Sequence, residues 1–199
     1  LKTEKILTRI ISKSKRMKTT KHNVEVEIVQ GDITEQSDMT AIVNAANAEL
    51  KTGSGVAGAI HSKAGNGLTK EAEKHAPIGA GEAVITDAYG LPNEKVIHTL
   101  GPVYGEDEPA AELLANCYKN SLKIAQNEGI DSIAFPAIST GAFGYPLEEA
   151  AEIALQTIHD QLDGMKNIKR IRMVVHSRRD EEIFEEKFQK IMGVESRPV

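Results

Sequence analysis

The sequence is poor in anything that would tie it together covalently. Its 199 residues include one cysteine, Cys117, which excludes an intrachain disulfide framework and a cysteine-rich zinc site. No apolar run is long enough to span a bilayer. Positive charge is not in excess: the net charge is −5, so no overall basic field recruits nucleic acid or a membrane surface. Neither an internal repeat nor a linker divides the chain. What is present is an ordinary globular composition, 40% apolar and 27% charged, at a length that supports one domain with a sizeable core. A monomer in a reducing cytoplasm, with no metal and no cofactor, is the matching expectation.

Residues 1–21 depart from this balance. They carry Lys2, Lys5, Arg9, Lys13, Lys15, Arg16, Lys18 and Lys21 against Glu4 alone. Ile6, Leu7, Ile10 and Ile11 share one helical face, so a short basic amphipathic helix is expected there, as an extension of a single domain over residues 22–199. An organellar presequence, or a compact domain that begins at Met17, are the alternatives.

From residue 24 onward strands and helices alternate. Residues 24–29 read Val-Glu-Val-Glu-Ile-Val, a strand with one wet face. Further strands are expected over 40–44, 82–86, 95–100, 132–136 and 168–176. Helices are expected over 56–63, 68–75, 109–128, 147–162 and 180–192. Pro109 and Gly129 suit the start and end of the third helix. This order predicts an α/β domain whose parallel or mixed sheet is covered by helices on both faces.

One stretch organises the rest: residues 42–60, IVNAANAELKTGSGVAGAI. A buried strand ends at Asn44, and Asn47 follows the small pair Ala45-Ala46. Gly53, Gly55 and Gly58 then open a helix. Glycines there leave successive backbone N–H groups free to point at one anion, and a helix start adds the positive end of its dipole. The spacing matches the dinucleotide fingerprint, but that motif needs its first glycine directly after a strand, and Ala45 to Thr52 intervene. The cradle therefore stands without the Rossmann reading. A surface loop that merely packs a helix on the sheet is the plain alternative. A second small-residue loop runs from Ser139 to Gly144. Two such loops face to face can hold a diphosphate. Asp32, also at a strand end, accepts hydrogen bonds only; it suits an exocyclic amine such as adenine N6. Together these features suggest an adenine nucleotide that contains a diphosphate.

GDIT at 31–34, IVNAAN at 42–47, GSGVAGAI at 53–60, VIHTLGP at 96–102 and FPAISTGAFGYP at 135–146 resemble the macro domain family in order and spacing. The resemblance covers about residues 24–192. It implies a three-layer α/β/α sandwich on a mixed, about six-stranded sheet. It also implies ADP-ribose as ligand, with hydrolysis of ADP-ribose from protein or from O-acetyl-ADP-ribose in many members. Carried over by position, Asp32 would hold adenine N6 beside the Ile33 backbone. Gly53, Ser54, Gly55, Val56 and Ala57 would wrap the diphosphate with Ser139, Thr140, Gly141, Ala142 and Phe143. Asn47 would hold the distal ribose as the catalytic side chain, Phe143 would pack on that ribose, and His176 would stack on adenine.

The chain departs from its hydrolytic relatives at one position. Their pattern GGGVDGAIH carries an acid where this chain has Ala57. A slow hydrolase and a non-catalytic reader therefore both stay open, with a nicotinamide-dependent oxidoreductase as a third reading. Each side chain also has a plainer role beside it. Asp32 and Thr34 suit a cap, and Asn44 suits a bond to loop backbone. His61, His98 and Cys117 suit the core, and the acids at 180–182 suit a helix start.

Overall fold

The computed structural model describes residues 17–194. Seven strands form one sheet in the order β1-β2-β7-β6-β3-β5-β4. They are β1 (Met17–Lys21), β2 (Val24–Gln30), β3 (Ala41–Ala45), β4 (Ala83–Asp87), β5 (Lys95–Thr99), β6 (Ser132–Pro136) and β7 (Arg170–Val175). The inner five, β2 to β5 in that spatial order, are mutually parallel, and β1 and β4 pair antiparallel at the two edges. Five helices complete the fold: α1 (Gly55–Ala64), α2 (Asn66–Ala72), α3 (Ala110–Asn127), α4 (Leu147–Gln161) and α5 (Arg178–Met192).

The two-residue period of the strands decides which helix packs where. Val43, Ile97, Ile133, Phe135 and Met173 join one cluster with Leu114, Leu122, Leu155 and Phe184 of α3, α4 and α5. Their alternates Ile42, Val96, Ala134 and Val174 join another with Ile60, Ala64 and Leu68 of α1 and α2. The sheet is thus buried on both faces, as expected of a three-layer sandwich. Each helix begins and ends near its expected place. Helix α5 starts at Arg178 rather than Asp180 because Ser177 caps it, accepting from the Asp180 N–H at 3.1 Å.

Two expectations need correction. The sheet has seven strands rather than about six, and the additional one, β1, comes from the segment read as helical. Its burial alternates, and it pairs with β2 through a two-residue turn in which His22 and Asn23 both have positive φ, 50° and 64°. That geometry is the hairpin turn whose twist suits paired strands. The rest of the expected helix, residues 1–16, lies outside the described residues. The second correction concerns β2, whose wet face is not wet. Glu27 is buried, and its carboxylate meets Arg172 of β7, its register partner, at 2.7 Å.

Candidate active site

All five parallel strands point their C-terminal ends the same way, and open α/β sheets bind ligands outside that edge. Three of the strands, β6, β3 and β5, send their following loops around one cleft of about 280 Å³. From β3 come Ala45, Ala46, Asn47 and residues 53–57; from β5 comes Gly101; from β6 come Ala137, Ile138, Ser139, Gly141, Ala142 and Phe143.

The start of α1 forms one wall. Gly55 sits at φ +57°, a conformation side chains resist, so the chain enters the helix without a cap bond from Ser54. No acid occupies the first turn. The N–H groups of Gly55, Val56 and Ala57 donate to nothing among the described residues. A helix start of this kind is an anion site.

The loop after β6 forms the facing wall. It is held from behind: the Tyr104 N–H donates to the Phe143 carbonyl at 2.9 Å, the Tyr145 N–H to Ser139 at 3.0 Å, and the Gly144 N–H to Gly141 at 3.0 Å. The N–H groups of Gly141, Ala142 and Phe143 find no acceptor among the described residues. Ser139 takes a positive φ of 66°, and its buried hydroxyl has no partner among the described residues. Gly101 makes room for it, since a Cβ there would lie 2.1 Å from Ser139 Oγ.

Asn47 lines the cleft while bracing its own loop. Its Nδ2 donates to the Lys51 carbonyl at 2.9 Å, and its Oδ1 accepts from the Lys51 N–H at 3.1 Å. One amide hydrogen and one lone pair remain for a ligand. None of the lining residues carries an ionisable side chain. The cleft therefore offers a ligand backbone dipoles, the polar side chains of Asn47, Ser54 and Ser139, and shape.

Of the histidines near this region, His98 is bonded through both ring nitrogens and His61 through one, its buried Nε2 having no partner among the described residues. Thr86 Oγ1 donates to the Asp87 carbonyl at 3.0 Å, so it accepts from His98 Nε2 at 2.9 Å. His98 Nδ1 is then an acceptor for Asn44 Nδ2 at 3.1 Å. Burial holds His98 neutral and lowers its pKa to about 3. His61 shares a hydrogen bond with Thr69 at 2.8 Å, and burial lowers its pKa as well. Asn44 is structural as expected, but its partner is His98 across the sheet rather than loop backbone.

Of the residues expected at the site, ten meet in the cleft: Asn47, Gly53, Ser54, Gly55, Val56, Ala57, Ser139, Gly141, Ala142 and Phe143. Asp32, Ile33, Thr140 and His176 lie outside its lining. The Thr140 hydroxyl donates to the Ala137 carbonyl of its own loop at 2.8 Å, and Ile33 is buried in the core. Asp32 and His176 stand at the ends of β2 and β7, neighbours at the same sheet edge. The Asp32 Oδ1 accepts from both the N–H and the hydroxyl of Thr34 at 2.8 Å, so the residue does cap its turn. The Thr34 N–H holds its carboxyl below the usual range. Ala45, Ala46, Gly101, Ala137 and Ile138 also line the cleft without having been expected as ligand contacts, although Ala45-Ala46 stood out as a small pair. Gly101 lay within a quoted motif, where a glycine before proline already marks a constrained turn.

The family described as Macro domain matches residues 43–154. An O-acetyl-ADP-ribose deacetylase of Klebsiella pneumoniae is 47% identical over 156 residues, 76% of this chain and 89% of that protein. Among solved structures, the Oceanobacillus iheyensis macrodomain with ADP superposes with a TM-score of 0.85 at 40% identity, covering 89% of this chain and 97% of that one. The Trypanosoma brucei macrodomain in complex with ADP-ribose gives a TM-score of 0.76 at 34% identity, covering 81% and 68%.

Proposed function

The chain belongs to the macro domain family, and from that membership we propose that it binds ADP-ribose and slowly hydrolyses ADP-ribose esters, on protein or as O-acetyl-ADP-ribose. The observation that carries the reading is the pair of facing backbone sets. The N–H groups of residues 55–57 and 141–143 have no acceptor within the described protein and border one cleft. Apart from buried Ala57, these residues are exposed or half-exposed in an open cleft, so their N–H groups are free to exchange water for a ligand, and a diphosphate offers several acceptor oxygens. The Ser139 hydroxyl adds a further donor.

With the diphosphate between those walls, the adenosine extends along the sheet edge past β6 toward β7 and β2. There Asp32 accepts from adenine N6 and His176 stacks on the ring. The other end of the ligand lies against Asn47 and Phe143, which hold the distal ribose. The cleft supplies no general base, and Ala57 stands where hydrolytic relatives carry an acid. Turnover then rests on orientation and on stabilising charge that develops on the diphosphate side. The substrate's own phosphate holds the attacking water. Asn47 holds the distal ribose so that its ester group, at C1″ on protein or on a neighbouring hydroxyl in O-acetyl-ADP-ribose, faces that water. The ester takes up the water, and the carboxylic acid and the free ribose hydroxyl separate. Loss of one acid–base group typically lowers rates about 10²–10⁴-fold, hence slow turnover.

The absence of an ionisable group in the cleft also supports a second reading, a module that only recognises ADP-ribose. The separating experiment is calorimetry with ADP-ribose and with NAD, followed by release assays on mono-ADP-ribosylated protein. Tighter binding of ADP-ribose than of NAD supports both readings over an oxidoreductase, and measurable release selects the hydrolase.

A further inference from the structure

Behind Asp32 lies a buried polar hub. Arg172, almost fully buried in β7, spreads its guanidinium over three partners. Its Nε donates to Glu27 at 2.7 Å, its Nη1 to Gln36 Oε1 at 2.8 Å, and its Nη1 and Nη2 to the two oxygens of Asp38 at 2.7 and 2.8 Å. Gln36 is the member that leads outward. Its Nε2 donates to the Asp32 carbonyl at 2.6 Å. The amide orientation is fixed by chemistry: turned over, it would set NH₂ against the guanidinium and oxygen against the Asp32 carbonyl. The Gln36 backbone is held as well, since its carbonyl accepts from the Asn93 side chain at 2.8 Å and from the Met39 N–H at 3.1 Å.

We propose that Gln36 is a positioning residue for base selectivity: it locks the Asp32 turn to the Arg172 hub, so that the Asp32 carboxylate meets the adenine amine in a fixed place. The inference rests on the ADP-ribose reading given above. Two observations support it. The turn at residues 31–36 is short and borders solvent: Asp32 is exposed, and both of its side-chain bonds lie within the turn, on Oδ1. Besides the Glu35 N–H within the same turn, at 3.1 Å, Gln36 Nε2 is the group that holds the Asp32 carbonyl, and among the described residues it alone connects that carbonyl to the buried hub. A carboxylate rewards an amine and repels a carbonyl oxygen, and it discriminates between them only as sharply as it is held.

The test is calorimetry on the intact chain with ADP-ribose and with its hypoxanthine counterpart, in which the 6-amino group is replaced by oxygen. Wild type is expected to prefer ADP-ribose. Gln36→Met removes the bond to Asp32 without adding charge; it should weaken ADP-ribose binding about 2- to 10-fold, the range for one neutral hydrogen bond, and leave the hypoxanthine ligand nearly unchanged. Gln36→Glu keeps an acceptor for Arg172 but has no donor for the Asp32 carbonyl, so it should narrow the same preference, and it serves where the methionine variant does not fold. An unchanged preference ratio in either folded variant overturns the proposal. A wild type with no base preference overturns it too, while ADP-ribose binding stands. A wild type that binds neither ligand overturns the functional reading and this inference with it.

Discussion

The proposed binding mode gives the Asp32 carboxylate a second job beside its cap. Both bonds from Thr34 fall on Oδ1, so the cap and a ligand contact through Oδ2 do not compete. Asp32→Ala is expected to weaken ADP-ribose binding by about 1.5–3 kcal/mol, the range for a hydrogen bond to a charged group. Unchanged affinity in a folded variant would reduce Asp32 to its cap. At Gly141 the structure leaves open space around an added Cβ, so Gly141→Val should fold with a wild-type melting temperature. It should nonetheless lose ADP-ribose binding, because the new methyl groups stand beside the free N–H groups; normal binding would remove the second loop from the cradle. At this scale much of the site was legible. Glycines at a helix start carry their chemistry in their type, and those at 53 and 55 do line the cleft. The roles of Ser139 and Gly101 were not legible: a positive φ at a serine and the approach of its hydroxyl to a glycine 38 positions earlier (139 − 101) exist only after folding.

The inner strands were readable from their mainly apolar runs, because a sheet buried on both faces favours apolar residues on each. β1 was hidden by its lysines, which suit an exposed edge as well as they suit a basic helix. Gln36 and Arg172 were hidden for the opposite reason, since charged and amide side chains are ordinarily read as solvated. Between elements, the chain Asn44–His98–Thr86 crosses β3, β5 and β4. Its acid–base consequence has a definite sign. The folded state keeps His98 neutral down to about pH 3, against an ordinary value of 6.5, while the unfolded chain takes up a proton below about 6.5. The stabilisation is therefore complete above that pH and lost as pH falls toward 3. Asp38 adds a second loss at lower pH: its carboxyl, lowered to about 2 chiefly by the Arg172 hydrogen bonds, stabilises fully above about 4. Melting temperatures measured from pH 7 to pH 4 should fall steadily, and a flat profile would contradict the assigned His98 environment.

Over the described residues the molecule is a sheet closed by helices on both faces, with the loops after β3, β5 and β6 forming one cleft at its edge. The site begins after β2, so removing residues 1–16 should leave ADP-ribose affinity unchanged by calorimetry. Removing residues 1–21 strips β1 and bares the β2 edge; it should lower the melting temperature, and affinity should fall only as far as folding does. A large affinity loss on removing residues 1–16 alone would show that this segment supports the site. The central claim is that this cleft hydrolyses by positioning, without a protein general base. Its most direct test is single-turnover release of ADP-ribose from O-acetyl-ADP-ribose, with binding measured in parallel, for wild type, Asn47→Ala and Ala57→Asp. Wild type is expected to release ADP-ribose slowly, above the uncatalysed rate. Asn47→Ala is expected to lose turnover, roughly 100-fold for a misalignment of about 1 Å, a loss that far exceeds the loss of affinity. Ala57→Asp should be faster wherever its carboxylate does not expel the diphosphate. No release by wild type above background would contradict the account and leave a module that binds ADP-ribose without consuming it.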